Sequence, residues 1–317
     1  AGAPATVGSV TPAPSVAELI SVARVVRVPM RVRFRGVRER EALLLRGPAG
    51  WGEFAPFAEY PPHVAARWLA AAIEAAWGQW PAPVRDEVPV NAIVPELDPV
   101  AAAAHVRACL DRDGTTTIKV KVSGSPRDEE GHPRSPRPNA SSPAHPQGGL
   151  GADEDRVAAV RAALDHAGAT DARIRIDVNG GWTLHEAQTR LPVLDRAARG
   201  LEYVEQPCES LHDLAALRRA SGVPIALDEG VRLAADGADD DPAWRRAVRE
   251  AADLVIVKPT PMGGVARALA VAERLRRPAV VSGAMDTSVG LSAGIAAAAA
   301  LPQLDHACGL GLSLIHI

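Results

Sequence analysis

The 317-residue chain contains three lysines, Lys119, Lys121 and Lys258, and its other 32 basic side chains are arginine. An alanine- and arginine-rich composition accounts for the scarcity of lysine. It does not account for two survivors standing two residues apart in the β-branched run TTTIKVKV (115–122). A guanidinium stays protonated in any protein site, whereas a buried lysine amine can be tuned to lose its proton near neutral pH. Chemistry in which a proton leaves and returns therefore needs lysine.

Carboxylates stand at matching places. Asp177 closes the apolar run RIRID, Glu205 closes LEYVE, Asp228 closes PIALD, and Lys258 closes DLVIVK. The spacings are 28 residues (177 to 205), 23 (205 to 228) and 30 (228 to 258), each about one strand–helix unit. A single acidic residue at a strand end is more often a helix cap or a loop contact. Six ionisable residues in register over five strands are a different matter. Three carboxylates brought to one mouth repel one another unless a cation neutralises them. An all-oxygen donor set suits Mg²⁺, which keeps positions open for water and substrate oxygens. Lys119 and Lys121 would flank the ion on one side and Lys258 on the other. Two neighbouring ammonium groups and a divalent ion would depress one lysine's pKa and make it a usable base.

The elements that must position these residues are legible as an alternation. Short β-branched runs recur at 88–94, 117–122, 173–178, 201–206, 223–229, 253–258 and 279–283, with an eighth signal at 306–311. Between them lie Ala-, Leu-, Arg- and Glu-rich stretches of helical spacing, such as EDRVAAVRAALDHAG. The alternation predicts a parallel sheet closed into a barrel, with the strand ends converging on one mouth. Residues 20–87 read differently: two or three antiparallel strands, then a helix over 64–78, forming an α+β capping domain before a barrel domain at 88–311. Residues 123–152 are rich in Pro, Gly, Ser and charge, and are expected to be a disordered insertion. Residues 1–19 are expected to be a disordered leader. The ending LSLIHI (312–317) reads like a translated adapter sequence, so a non-native tail and a missing C-terminal cap segment are expected.

Several function classes are set aside. A net charge of −3 with no basic stripe argues against nucleic acid. The longest apolar run, near 293–301, is too short for a membrane span. Three widely spaced cysteines argue for a reducing compartment, hence a cytoplasmic location. His185-Glu186 begins a zinc-helix pattern that Thr189 breaks. Gly309 and Gly311 begin a dinucleotide fingerprint that Leu314 breaks. His306 is the one histidine close to a strand signal. Oligomeric state is left open.

The motifs K-x-K (119–121), D-x-N (177–179), E-Q-P (205–207), D-E (228–229) and V-K-P (257–259) resemble the enolase superfamily, in its muconate-lactonising subgroup. Within it, LLRGPAGWGEFAPFAEY, LEYVEQPC and SGAMDTSVGLSAG look most like the o-succinylbenzoate synthase family of actinobacteria. The resemblance implies an α/β fold, a (β/α)7β-type modified TIM barrel with an N-terminal α+β capping domain. It implies Mg²⁺ on Asp177, Glu205 and Asp228, and a small-molecule carboxylate substrate. Lys121 would be the base, Lys119 would hold its pKa down, and Lys258 would stabilise the anion from the opposite face. Asn179 and Glu229 would support the site from behind. Ser282, Gly283 and Met285 would meet the substrate's succinyl tail, with loops near Arg35 and at 54–60 closing over it. Gly230 departs from the serine that commonly follows D-E. N-succinylamino acid racemase stays open as an alternative, with Lys121 and Lys258 each acting on one face. Dipeptide epimerase is disfavoured because Asp286 is followed by Thr287 and Ser288. A non-catalytic barrel or an inactive fragment also stays open.

Overall fold

The structure is a computed structural model that describes residues 13–34, 37–124, 149–234 and 237–311. Arg35, most of the expected insertion, the first twelve residues and the 312–317 tail lie outside the described residues.

The first described element is helix α1 (Val16–Val22), which falls inside the stretch expected to be a disordered leader over 1–19. The physical reason is local: Ser15 and Glu18 form a reciprocal capping box that starts the helix. Strands β1 (Ala23–Phe34), β2 (Val37–Gly47) and β3 (Gly50–Phe54) form an antiparallel meander in that order. Helix α2 (Pro62–Trp77) begins with proline at its first position and lies across this sheet. It buries Leu45 of the sheet against its own Ala72 and Ala76. The approach is so close that a Cβ at Gly52 would stand 1.9 Å from the Ala72 carbonyl oxygen. Substituting Gly52→Ala is expected to force sheet and helix apart and to destabilise the cap by about 1–3 kcal/mol. Limited proteolysis within 37–77 at increasing urea would show this as earlier cleavage than in the parent chain.

The barrel follows as a regular alternation. Its elements are β4 (Ala92–Val94), α3 (Pro99–Asp113), β5 (Thr117–Lys121), α4 (Leu150–His166), β6 (Arg173–Asp177), α5 (Leu184–Ala198), β7 (Leu201–Glu205), α6 (Leu211–Ala220), β8 (Ile225–Leu227), α7 (Glu229–Arg232), α8 (Pro242–Ala251), β9 (Leu254–Val257), α9 (Pro259–Met262), α10 (Val265–Leu275), β10 (Ala279–Val281) and α11 (Ser288–Ala300). β4 to β10 form one parallel seven-stranded sheet in sequence order. The eighth position is filled by residues 308–309. Cys308 bridges Val90 and Gly309 bridges Ser282, both in parallel sense, so the segment joins the two open edges of the sheet. The expected barrel is thus present, with a closing segment too short to be a strand in its own right.

Helix α4 begins at Leu150, inside the stretch expected to be an insertion over 123–152. Its Val157, Val160 and Leu164 pack into the barrel's outer core, and Asp153 in its first turn accepts the Ser123 N–H at 3.0 Å. Both ends of the expected insertion are therefore tied into the barrel.

Strand residues alternate with period two. Ile118, Val120, Ile174, Ile176, Val204, Val255 and Val257 point outward to the helices. The opposite face of β5, β6 and β7 carries Lys119, Lys121, Arg175, Asp177, Tyr203 and Glu205. This inward polar face changes character along the barrel. Towards the N-terminal ends, fully buried Arg175 donates to Glu202 (2.5 Å), Asn91 (3.1 Å) and the Ala307 carbonyl (2.7 Å), tying β6 and β7 to the closing segment. His306 Nδ1 donates to Glu202 Oε1 at 2.8 Å in the same cluster, so its role is in barrel closure. Towards the C-terminal ends lie the lysines and acids.

The cap is seated on that C-terminal mouth through two carboxylates. Glu74 of α2 accepts the N–H groups of Val265 (2.5 Å) and Ala266 (3.0 Å) at the start of α10. Glu53 of β3 accepts those of Thr287 (3.0 Å) and Gly290 (2.8 Å) at the start of α11. Each satisfies helix N–H groups that have no partner within the helix, and each opposes the positive end of a helix dipole.

Candidate active site

The C-terminal ends of β5, β6, β7, β8 and β9 bring Lys119, Lys121, Asp177, Glu205, Asp228 and Lys258 together. The register places Lys121 beside Asp177 and Asp177 beside Glu205 on adjacent strands. The three carboxylates are at most 1% exposed. Lys119 donates to both Glu205 oxygens (3.0 and 3.2 Å) and lies 3.3 Å from Asp177 Oδ2. Lys121 donates to Asp177 Oδ2 (2.5 Å) and to Asn179 Oδ1 (2.7 Å). Lys258 donates to Asp228 Oδ2 at 2.6 Å. In the eight-membered ring, β5 and β9 are four positions apart, so Lys121 and Lys258 approach the mouth from opposite walls.

Burial and charge separate the two neighbouring lysines. Burial works to lower the pKa of Lys119, but Glu205 and Asp177 overcome it and hold the amine protonated. For Lys121 burial prevails, assisted by the Lys119 charge, and its pKa lies below the ordinary lysine value. Asp177 is held well below the usual carboxylate range: burial opposes this, and Lys121 and Lys119 outweigh burial. Asp228 is lowered too, with Lys258 and Arg232 outweighing burial. Glu205 goes the other way, pushed up to about 7 by burial and then by the Asp177 charge.

Among the described residues no group of three or more His, Cys, Asp or Glu side chains forms a ready metal cage. The carboxylates are drawn to lysines instead. The donor set still fits a hard divalent cation. It is all oxygen, buried and carried on three adjacent strands, and burial together with the Asp177 charge disfavours an ionised Glu205 without a cation.

Above these groups is a cavity walled by both the barrel and the cap. Lys119, Lys121, Asp177, Asn179 and Lys258 line its floor. Phe57, Tyr60 and Trp68 come from the cap, and Ser282 to Met285 from the loop after β10. Ser282, Gly283 and Met285 thus border the cavity, although the Ser282 hydroxyl is turned to the Gly309 carbonyl at 3.2 Å. Met285 holds that loop in a left-handed conformation (φ 63°). Its carbonyl accepts from Arg40 at 3.0 Å. Asp286 is occupied within the loop, accepting from Thr260 Oγ1 (3.0 Å) and the Ala284 N–H (2.7 Å).

Asn179 is part of the floor and Glu229 stands behind it. Asn179 adopts φ 51° and its amide bridges Lys121 to Glu229 Oε1, the latter at 3.3 Å. Strain of this kind persists where surrounding contacts over-determine it. Two residues were not singled out from sequence. Arg232, 5% exposed, donates to Asp228 Oδ1 (3.2 Å), Glu229 Oε1 (2.9 Å) and the Tyr60 hydroxyl (3.0 Å). Its signal was the four-residue spacing from Asp228, one helical turn. Gln206 accepts the Asp228 and Gly230 N–H groups at 3.0 and 3.3 Å, which fixes the backbone at Asp228. It sits in the E-Q-P motif.

The fold and the site define a class, and comparison with known proteins agrees. Residues 25–76 match the enolase N-terminal domain-like family and residues 101–313 the enolase C-terminal domain-like family. The chain belongs to the enolase superfamily. It is 48% identical over 294 residues to the o-succinylbenzoate synthase of Thermobifida fusca, spanning 92% of this chain and 81% of that protein. It is 44% identical over 306 residues to that of Mycobacterium leprae, spanning 96% and 80%. Solved structures of like fold include the L-Ala-D/L-Glu epimerase of Bacillus subtilis (TM-score 0.70, 21% identity, 93% of this chain and 89% of that one). The N-succinyl Arg/Lys racemase of Bacillus cereus gives TM-score 0.71 at 18% identity, covering 93% and 87%. Both similarities concern the fold alone. Among the described residues no helix is long and apolar enough to cross a membrane.

Proposed function

We propose that this chain is an o-succinylbenzoate synthase, a hydro-lyase of menaquinone biosynthesis. Its substrate is a hydroxycyclohexadiene carboxylate carrying a succinyl group, and its products are the aromatic o-succinylbenzoate and water. The observation that carries the reading is the pair of lysines on opposite sides of one capped cavity, with Asp177 on its floor and Glu205 and Asp228 buried on the next two strands. The names of the relatives set the substrate.

Superfamily sites of this type pair a lysine or histidine base with Mg²⁺. Asp177, Glu205 and Asp228 would hold the ion, which when bound supplies positive charge for the substrate carboxylate. The chain's own residues carry the proton. Neutral Lys121 takes the α-proton, and the C–H electron pair moves into the carboxylate to give an enediolate. Lys258 faces that developing negative charge from the other wall. The C–O bond to the hydroxyl then breaks, and the proton now on Lys121 leaves with the hydroxide as water. One base serving both steps makes the elimination syn. Lys119, kept charged by Glu205, favours the neutral form of Lys121. Phe57, Tyr60 and Trp68 exclude water above the ring, and the Ser282–Met285 loop would receive the succinyl tail.

Removing divalent ions with a chelator is expected to abolish dehydration of the cyclohexadiene substrate, and added Mg²⁺ to restore it. Turnover that is indifferent to chelation would refute the assignment of the three carboxylates. The facing lysines also favour a second reading, racemisation of N-succinylamino acids through the same site. Exchange of the α-proton for deuterium, without dehydration of the cyclohexadiene, would select it.

A further inference from the structure

The Tyr60 hydroxyl of the cap stands at the head of a fork. Arg232 Nη1 donates to it at 3.0 Å. One prong runs from Arg232 Nη2 to Glu229 Oε1 (2.9 Å), which also accepts from Asn179 Nδ2 (3.3 Å). Asn179 Oδ1 in turn accepts from Lys121 Nζ (2.7 Å). The other prong runs from Arg232 Nε to Asp228 Oδ1 (3.2 Å), whose second oxygen accepts from Lys258 Nζ (2.6 Å). The prongs therefore end on the two amines that face each other across the barrel. Lys119, paired with Glu205, is on neither.

The cap grips the same turn a second time. Arg67 of α2 donates to the carbonyls of Arg232 (3.0 Å) and Ala234 (2.8 Å). The Tyr60 ring is held on both sides, edge-on to Phe57 at 5.9 Å and against Trp68 at 5.3 Å. Its hydroxyl is consequently delivered to Arg232 only when the cap is seated on the mouth. A planar guanidinium offers donors in a rigid fork, so its orientation fixes both carboxylates together.

We propose that Tyr60 is a positioning residue: through Arg232 it makes the placement of Lys121 and Lys258 conditional on the cap being seated. The kinetic part rests on the dehydratase reading, while the geometric part stands apart from it. Substrate entering beneath the cap then finds both amines aimed only after closure.

The three lysines of the chain make a direct test possible. Lysine labelled with ¹³C at Cε gives three signals, assigned by the loss of one in each single Lys→Arg variant. Tyr60→Phe keeps the ring contacts and removes the hydroxyl. At fixed pH and without substrate, it is expected to displace the Lys121 and Lys258 signals and to leave Lys119 nearly in place. In kinetics it is expected to lower kcat about tenfold with KM changed less than about twofold. Combined with Asn179→Ala, its effect on kcat is expected to be clearly smaller than in the parent chain, because both variants interrupt one prong. Unmoved lysine signals, equal displacement of all three, or fully multiplicative losses in the double variant would overturn the proposal. If the parent chain turns over no cyclohexadiene substrate, the functional reading fails, and the lysine signals alone still decide the fork.

Discussion

Lys121→Arg is expected to reduce dehydration by at least about a thousandfold, within the range that a positioned general base contributes. The substitution keeps a positive charge beside Asp177 and Asn179, so the floor remains neutralised. It removes the capacity to become neutral, because a guanidinium does not give up its proton in a protein site. The pH profile of the parent chain carries the complementary signature. Lys121 acts as a base only when deprotonated, so kcat/KM is expected to fall on the acid side. Burial and Lys119 lower its pKa, so that limb lies below the ordinary lysine range. Circular dichroism should show the variant folded. If it still exchanges the α-proton of one enantiomer of an N-succinylamino acid, Lys258 is acting alone on its own face. Near-parental dehydration by Lys121→Arg would remove Lys121 from the role of base.

Glu202→Met is expected to give the largest loss of stability. Glu202 is the carboxylate partner of Arg175, which is fully buried inside the barrel. Deleting one member of a buried pair leaves the other charge uncompensated, at a cost of about 3–5 kcal/mol. Urea denaturation should show a lower midpoint with little change in slope. The effect is pH-dependent, and its sign is set by the carboxyl. Burial opposes ionisation of Glu202, but hydrogen bonds from His306 and Arg175 outweigh it and hold its pKa down to about 2. A depressed folded-state pKa contributes stability that is complete above the unfolded value near ~4.3 and lost as pH falls toward about 2. The gap between parent and variant should therefore be full at pH 6 and narrow steadily below pH 4. A gap that widens on acidification would mean that the stability of this cluster does not come from the ionised carboxylate.

These two residues mark the reach of sequence reasoning. Lys121 was legible because a charge at alternate positions of a β-branched run violates the pattern of a strand that buries both faces. The same violation exposed Asp177, Glu205, Asp228 and Lys258 at their strand ends, and their spacing gave the barrel. Arg175 shows the same alternation in RIRID. Its partner Glu202 and the carbonyl of Ala307 come from other parts of the chain, and nothing local distinguishes it from a surface arginine. His306 looked like a strand-end candidate, and the fold turned it to the closing cluster.

Helices α1 and α4 begin at Val16 and Leu150, inside the stretches expected to be disordered over 1–19 and 123–152. Composition averages over a window, whereas a helix starts at a single cap: Ser15 with Glu18, or Gly149 with Asp153 turned to Ser123.

Sequence by itself determined the alternation of elements, the shared inward face of Lys119 and Lys121, and the set of six ionisable residues at the strand ends. These follow from period-two and helical patterning, which act over one element at a time. Tertiary structure alone decided which carboxylate each lysine takes, and that Arg232 joins Tyr60 to both amines. It also decided that Glu53 and Glu74 of the cap serve the first turns of α10 and α11, and that two bridged residues close the ring. Apart from the bonds of Arg232 to Asp228 and Glu229, those contacts join groups far apart in the chain. Their energy comes from desolvation and charge at the place where packing brings them together, so no local pattern records them.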